Sequence, residues 1–255
     1  MIPKKIHFTW FSDDPYPEKI KECMASWKRH MPDFEFIHWD MNRIKSIYSV
    51  FLHEALSVKK WAFASDFIRL WALYHEGGIY LDTDVLVYRS FEDLLDQECF
   101  IGKENALHIG WRITEQYLTS HCMGAVVGHP FIKECLDYYD GRHFIQSHNE
   151  SLPQPLKYDM TIQPYIQYEI AKKYGYNPFP SANKVQHLSD NVTVYPMPYF
   201  DCLKRKSYSY CKHLAAGSWR PERFQPGTAY KIKWYFGKFI EAALSPIGYV
   251  IVKKT

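Results

Sequence analysis

Two carboxylates one residue apart, in the triplet Asp82-Thr83-Asp84, are the side chains of this chain best suited by type and spacing to do chemistry. The run from Ile79 to Val87 is almost continuously β-prone, which predicts a central strand buried on both faces. Alternation along such a strand puts Tyr80, Asp82 and Asp84 on one side and Leu81, Thr83 and Val85 on the other. Two like charges near a buried strand end are costly unless a cation compensates them. A hard divalent ion does this, because Mg²⁺ and Mn²⁺ take oxygen ligands and complete their shells with phosphate oxygens and water. The sequence holds no glycine-rich phosphate loop, so a metal bridge is the natural grip on a diphosphate. By itself, Asp-x-Asp also marks a turn or a solvated strand end.

Upstream, in Ala64-Ser65-Asp66-Phe67-Ile68-Arg69, Asp66 and Arg69 stand three apart on one helical face. Such a pair is either a helix-surface ion pair, which contributes little, or a pair of groups able to bind sugar hydroxyls.

The elements that must position these groups follow a strand and helix alternation. Ile6, Phe8 and Trp10 alternate with His7 and Thr9, which predicts a buried first strand over Lys5 to Phe11. Pro17 opens a helix to about Arg29, with Ile20, Cys23, Met24 and Trp27 at helical spacing. Phe34 to Trp39 is the next expected strand, so the chain begins as a parallel α/β unit. Ser46 to Glu76 predicts one or two packed helices ended by Gly77-Gly78, where glycine can take the left-handed cap. Further on come a short strand over Cys122 to Gly128, a helix over Phe131 to Tyr139, a helix within Thr161 to Tyr174, and a strand over Val192 to Tyr195. The polar stretch from Gly141 to Tyr158 reads as a loop.

Length and composition limit the function classes. With 255 residues, 47% hydrophobic and 23% charged, the chain can bury the core of one large domain and is neither disordered nor fibrous. A net charge of +3 is too small for nucleic-acid binding by counterion release, so no nucleic-acid partner is expected. The six cysteines are widely spaced, which predicts free, mostly buried thiols in a reducing compartment. Met1 to Lys5 leads straight into the first strand without a signal-peptide pattern, so a cytoplasmic protein is expected. Residues 229–255 mix lysines with Tyr230, Trp234, Tyr235, Phe236 and Phe239 and then turn apolar, in runs shorter than the ~20 residues of a membrane span. That composition suits a helix lying at a membrane surface, on the inner face of the cell membrane, or a C-terminal helix packed on the domain.

Ala64 to Arg69 followed by Gly77-Gly78-Ile79-Tyr80-Leu81-Asp82-Thr83-Asp84 resembles the sugar-binding DXD signature of glycosyltransferase family 32. That family includes yeast-type α-mannosyltransferases and bacterial capsule and lipopolysaccharide enzymes. The layout is also similar to the glucosyltransferase domain of large clostridial toxins. The resemblance extends to Ile2 to Trp10, Ser26-Trp27, Met31-Pro32 and Trp39-Asp40.

The resemblance implies a GT-A type α/β fold that binds nucleotide sugars, with a mixed, mostly parallel central sheet flanked by helices. On this expectation residues 1–228 form the transferase domain and residues 229–255 a basic, aromatic, amphipathic appendage. Trp10 resembles the aromatic that stacks on the nucleotide base, with Thr9 beside it, although a Trp there also suits a core or rim. Asp66 and Arg69 resemble the pair that holds ribose or donor-sugar hydroxyls, and Tyr80 a residue near the diphosphate. Asp82 is expected near the ribose or on metal-bound water, and Asp84 as the direct ligand; Asp82, Asp84 and Arg69 are the expected catalytic set. Cys211 to Trp219 is similar to the family's late His and Gly-Ser-Trp segment, so His213 is a candidate metal or phosphate ligand, or else a hydrogen-bonded histidine. Ser218 and Trp219 are expected to contact the donor phosphates from a closing loop.

The expected reaction is retaining transfer of a hexose or N-acetylhexosamine from a nucleotide sugar, UDP-linked by preference and GDP-mannose otherwise, with Mn²⁺ or Mg²⁺. The expected acceptor is a glycan or lipid-linked glycan in surface polysaccharide synthesis. Two other classes stand beside it. A glycosidase would use opposed carboxylates, for which Asp159 and Asp190 are available, and would need no metal. A non-catalytic protein would bind sugar nucleotides or glycans without turnover.

Overall fold

Alternation along β1 (Lys5–Thr9) decides what each face of the sheet packs against. Ile6 and Phe8 point into one apolar cluster, while Thr9 on the opposite face bonds to Ser65 of α3 (Trp61–Glu76). The structure is a computed structural model; it describes residues 1–104, 117–179, 184–202 and 204–215, with the backbone of 108–109 and 252–253.

β1 lies between β2 (Glu35–Trp39) and β3 (Gly78–Leu81), parallel to both. Next to β3 is β7 (Leu118–Ala125), antiparallel to β3 and to its other neighbour β5 (Cys99–Lys103). β9 (Val192–Tyr195) runs parallel to β5, and β8 (Gln186–His187) closes the edge antiparallel to β9. The result is a seven-stranded mixed sheet in the order β2-β1-β3-β7-β5-β9-β8, with all strands but β7 and β8 sharing one direction. The expected α/β architecture, a mixed and mostly parallel central sheet flanked by helices, is therefore present.

Helices cover both faces because the parallel strands are apolar on both sides. One face carries α2 (Val50–Ser57), α3, α4 (Pro130–Asp137) and α6 (Gln163–Lys173), whose Phe51, Leu52, Phe67, Leu70, Phe131 and Ile166 share a core with Tyr80 and Met123. The other face carries α1 (Glu18–His30) and a small antiparallel sheet of β4 (Val85–Val87) with β10 (Cys211–His213). Trp27 of α1 donates its indole N–H to the Val85 carbonyl, and Ser26 accepts the Val87 N–H. The outer edge of β4 is thus satisfied by side chains rather than by another strand. A short α5 (Gln154–Lys157) interrupts the expected 141–158 loop, and the backbone of β6 (His108–Ile109) pairs with β11 (Val252–Lys253). The appendage expected over 229–255 otherwise lies outside the described residues, as do Ser218 and Trp219.

The predicted strand over Ile79 to Val87 is a correction. β3 stops at Leu81, Asp82-Thr83-Asp84 is a turn closed by the Val85 N–H on the Asp82 carbonyl, and β4 leaves to pair with β10. Strand alternation therefore does not set the direction of the two carboxylates. The physical reason is desolvation: continuing β3 would carry both charges into the dry sheet, whereas a turn at its end keeps them partly in water. The first strand likewise ends at Thr9, leaving Trp10 beyond it. α2 and α3 resolve the predicted helical stretch into two, and Gly77 caps α3 at φ +62° and ψ −176°, a positive φ that suits glycine but an extended ψ in place of the expected left-handed cap.

Candidate active site

Three side chains from two distant segments converge at the end of β3. Ligand atoms of Asp82, Asp84 and His213 lie within 4.8 Å of one another, and His213 Nε2 is 3.2 Å from Asp84 Oδ1. The register of the small sheet brings them together: His213 pairs with Val85, and the Leu214 N–H donates to the Asp84 carbonyl at 3.0 Å. Burial disfavours the charged imidazole, but the hydrogen bond and charge of Asp84, with Asp82 and Asp201, raise the His213 pKa to about 9. Two carboxylates and an imidazole form a donor set that fits Mn²⁺ or Mg²⁺ and leaves coordination positions for water and phosphate oxygens.

Arg69 is the hub beside this group. Its guanidinium lies 3.0 Å from Asp66 and 3.2 Å from Asp82, donates to the carbonyls of Ser65 and Ser120, and sits 4.7 Å above the Tyr80 ring. The pair Asp66 and Arg69, read from helical spacing, is thus buried rather than on a solvated helix surface, and it includes Asp82. Burial raises the Asp66 pKa, Arg69 lowers it, Asp82 raises it and the Gln163 N–H lowers it, and the balance is about 7. Asp66 can therefore donate or accept a hydrogen bond near neutral pH.

Thr9 and Tyr80 support this hub from beneath. Thr9 Oγ1 is 2.8 Å from Ser65 Oγ and 3.0 Å from the Tyr80 hydroxyl, and Tyr80 is fully buried under Arg69. Trp10 is half-buried past the end of β1, where its indole donates to the Asp14 carbonyl and packs on Tyr16. Asp159 and Asp190 join none of this. The Asp159 carboxylate accepts the Thr161 N–H, and Asp190 sits at φ +50° in the turn before β9.

His121 was not singled out from the sequence, yet it touches both halves of the group. Its carbonyl accepts the Asp82 N–H at 2.9 Å, and its ring stacks on His213 at 4.4 Å with 17° between planes. Burial, then the neighbouring His213, push its pKa down to about 3, so it is a neutral partner whose Nε2 donates to the Phe200 carbonyl. In the sequence it follows Thr119 and Ser120 as one more polar residue before the apolar Cys122 and Met123, and only its place opposite the end of β3 gives it a role.

Residues 17–101 match a family model described as "Glycosyltransferase sugar-binding region containing DXD motif". Among curated proteins, the chain is 30% identical over 135 residues to inositol phosphoceramide mannosyltransferase 3 of Schizosaccharomyces pombe, covering 51% of this chain and 35% of that protein. It is 32% identical over 152 residues to a mannosyl phosphorylinositol ceramide synthase of Saccharomyces cerevisiae, covering 57% and 37%. The matched stretch thus spans little more than a third of these relatives. Among solved structures, the PaToxG glycosyltransferase is 18% identical with a TM-score of 0.45, covering 68% of this chain and 69% of that one. The glycosyltransferase GlyE of Streptococcus pneumoniae TIGR4 is 10% identical with a TM-score of 0.42, covering 100% and 66%. TM-scores this low carry no residue roles across.

Proposed function

We propose, from the match of residues 17–101 to the model of a glycosyltransferase sugar-binding region containing a DXD motif, that this protein transfers a hexosyl group from a nucleotide sugar to an acceptor hydroxyl. The observation that carries the reading is the convergence of Asp82, Asp84 and His213 within 4.8 Å from two distant segments. Such a set holds a divalent ion, and the ion when bound neutralises charge on the departing nucleoside diphosphate. Asp84 and His213 are its direct ligands in this reading, with Asp82 shared between the ion and Arg69. Arg69 and Asp66 bind hydroxyls of the donor, held rigid by the Thr9, Ser65 and Tyr80 network beneath them. Trp10, at the open end of β1, offers a flat face to the base. The anomeric configuration is retained, as the family resemblance implies.

The relatives' names carry mannose and an inositol phosphoceramide, which favours a mannosyl donor, GDP-mannose, and a lipid-borne acceptor. The UDP-hexose donor and the glycan acceptor of surface polysaccharide synthesis take second place.

The test is a panel of nucleotide sugars incubated with purified protein and Mn²⁺. One sugar should be slowly hydrolysed, EDTA should stop the reaction, and Asp84→Asn should lower it by at least about 100-fold. Full activity in Asp84→Asn would falsify the reading. EDTA-resistant cleavage of a simple glycoside would support a glycosidase instead.

A further inference from the structure

Positive charge on this chain is local rather than global. The net charge is only +3, and most cations on the helical faces are neutralised, as in Lys133–Asp137, Lys172–Glu169 and Lys173–Glu134. One region differs. Lys28 and Arg29 at the end of α1, Lys204, Arg205 and Lys206 in the loop before β10, and Lys212 within β10 make no ion pair among the described residues.

These six residues come from three segments that the fold packs side by side. α1 is fastened to β4 through Trp27 and Ser26, and β4 pairs with β10, setting Lys212 opposite Leu86. Arg205 reaches back to the residue after β4, donating to the Tyr88 carbonyl and lying 4.9 Å over its ring. The charges of Arg29 and Arg205 both act on His30, so the helix end and the loop face the same space. Tyr208 of this loop is 40% exposed and packs on Tyr199. An aromatic ring with a polar tip among unpaired lysines and arginines suits the headgroup layer of a bilayer, where cations meet anionic lipid and tyrosine sits at the interface. Lys212 immediately precedes His213 in β10, so the two side chains leave opposite faces of the small sheet, Lys212 beside Leu86 and His213 beside Val85.

We propose that the face formed by the end of α1, the 204–206 loop and β10 docks on a bilayer surface containing anionic lipid. Docking there holds the protein at the surface on which a lipid-borne acceptor is found. The inference rests on the proposed function only for what the membrane supplies; the docking itself needs neither donor nor metal.

The experiment sediments the full chain in EDTA with vesicles of phosphatidylcholine, alone or mixed with phosphatidylglycerol. The protein should pellet with the mixed vesicles and be released by salt. Reversal of the loop charges (Lys204→Glu, Arg205→Glu, Lys206→Glu) should lower the partition coefficient by roughly tenfold or more, and Lys28→Gln with Arg29→Gln should lower it from an independent segment. Mn²⁺ binding and the thermal midpoint, measured on the same variants, should stay unchanged, which separates lost docking from a lost fold or metal site. Wild-type protein left in the supernatant with anionic vesicles overturns the proposal. So does a charge-reversed loop that pellets like wild type, which would put any binding in another segment. Retention on single-stranded RNA with no vesicle binding also overturns it. Failure of the nucleotide-sugar assay with intact vesicle binding would instead count against the proposed reaction alone.

Discussion

At Asp84 and His213, one contact has opposite consequences with and without metal. The His213 pKa of about 9 lies above the ordinary histidine value, so the pair stabilises the metal-free fold fully below about pH 6.5 and loses that contribution as pH rises through about 9. A metal ion needs the neutral imidazole, so binding must expel that proton. Apparent Mn²⁺ affinity should therefore rise about tenfold per pH unit as pH approaches 9. Calorimetric titrations at two pH values check this, with His213→Gln as the reference that lacks the slope; a pH-independent affinity in the wild-type protein would remove His213 from the ligand set. Asp84 was legible from residue type and spacing, and His213 from the resemblance of Cys211 to Trp219 to the family's late His segment. Their contact was not, because it depends on β10 pairing with β4 from far along the chain.

Among elements, the step from α3 into β3 fixes where the carboxylates emerge. Gly77 and Gly78 take φ +62° and +110°, and a Cβ on Gly78 would stand 2.9 Å from the Lys5 carbonyl oxygen. His7 adds a second clamp at this step: Trp39 donates to its Nδ1, so its Nε2 carries the proton given to the Gly77 carbonyl at 2.7 Å. Gly78→Ala should cost more than about 1 kcal/mol, because neither the dihedral nor the close backbone approach tolerates a side chain. Urea unfolding with an unchanged m-value is the measurement, and an unaltered midpoint would show that β3 shifts without cost. The glycine pair and the helix before it were readable from apolar period and cap chemistry. β5 was not, because Gly102 and the buried Lys103 interrupt its apolar run, and the strand holds through its pairing with β7 and β9.

For the molecule as a whole, all six cysteines, from Cys23 to Cys211, are free and buried, as the wide spacing predicted. Burial pushes the thiols of Cys23, Cys99, Cys135, Cys202 and Cys211 up, which removes the reactive thiolate. A thiol-specific dye should thus label the native protein slowly and all six sites at once in denaturant, and rapid labelling of native protein would contradict this packing. Residue pattern alone specifies the elements whose own side chains offset their cost of ordering: the first strand, helix and strand, the glycine-capped helix, and the acidic triplet with its upstream Asp66 and Arg69. The triplet was readable in the same way as a pair of like charges that calls for compensation wherever the chain runs. Packing between distant segments makes the triplet a turn, shares Arg69 between Asp66 and Asp82, and stands His121 and His213 beside it. Those relations are long-range: they are set by which strands pair and by which charges can be buried together, and local residue pattern encodes neither.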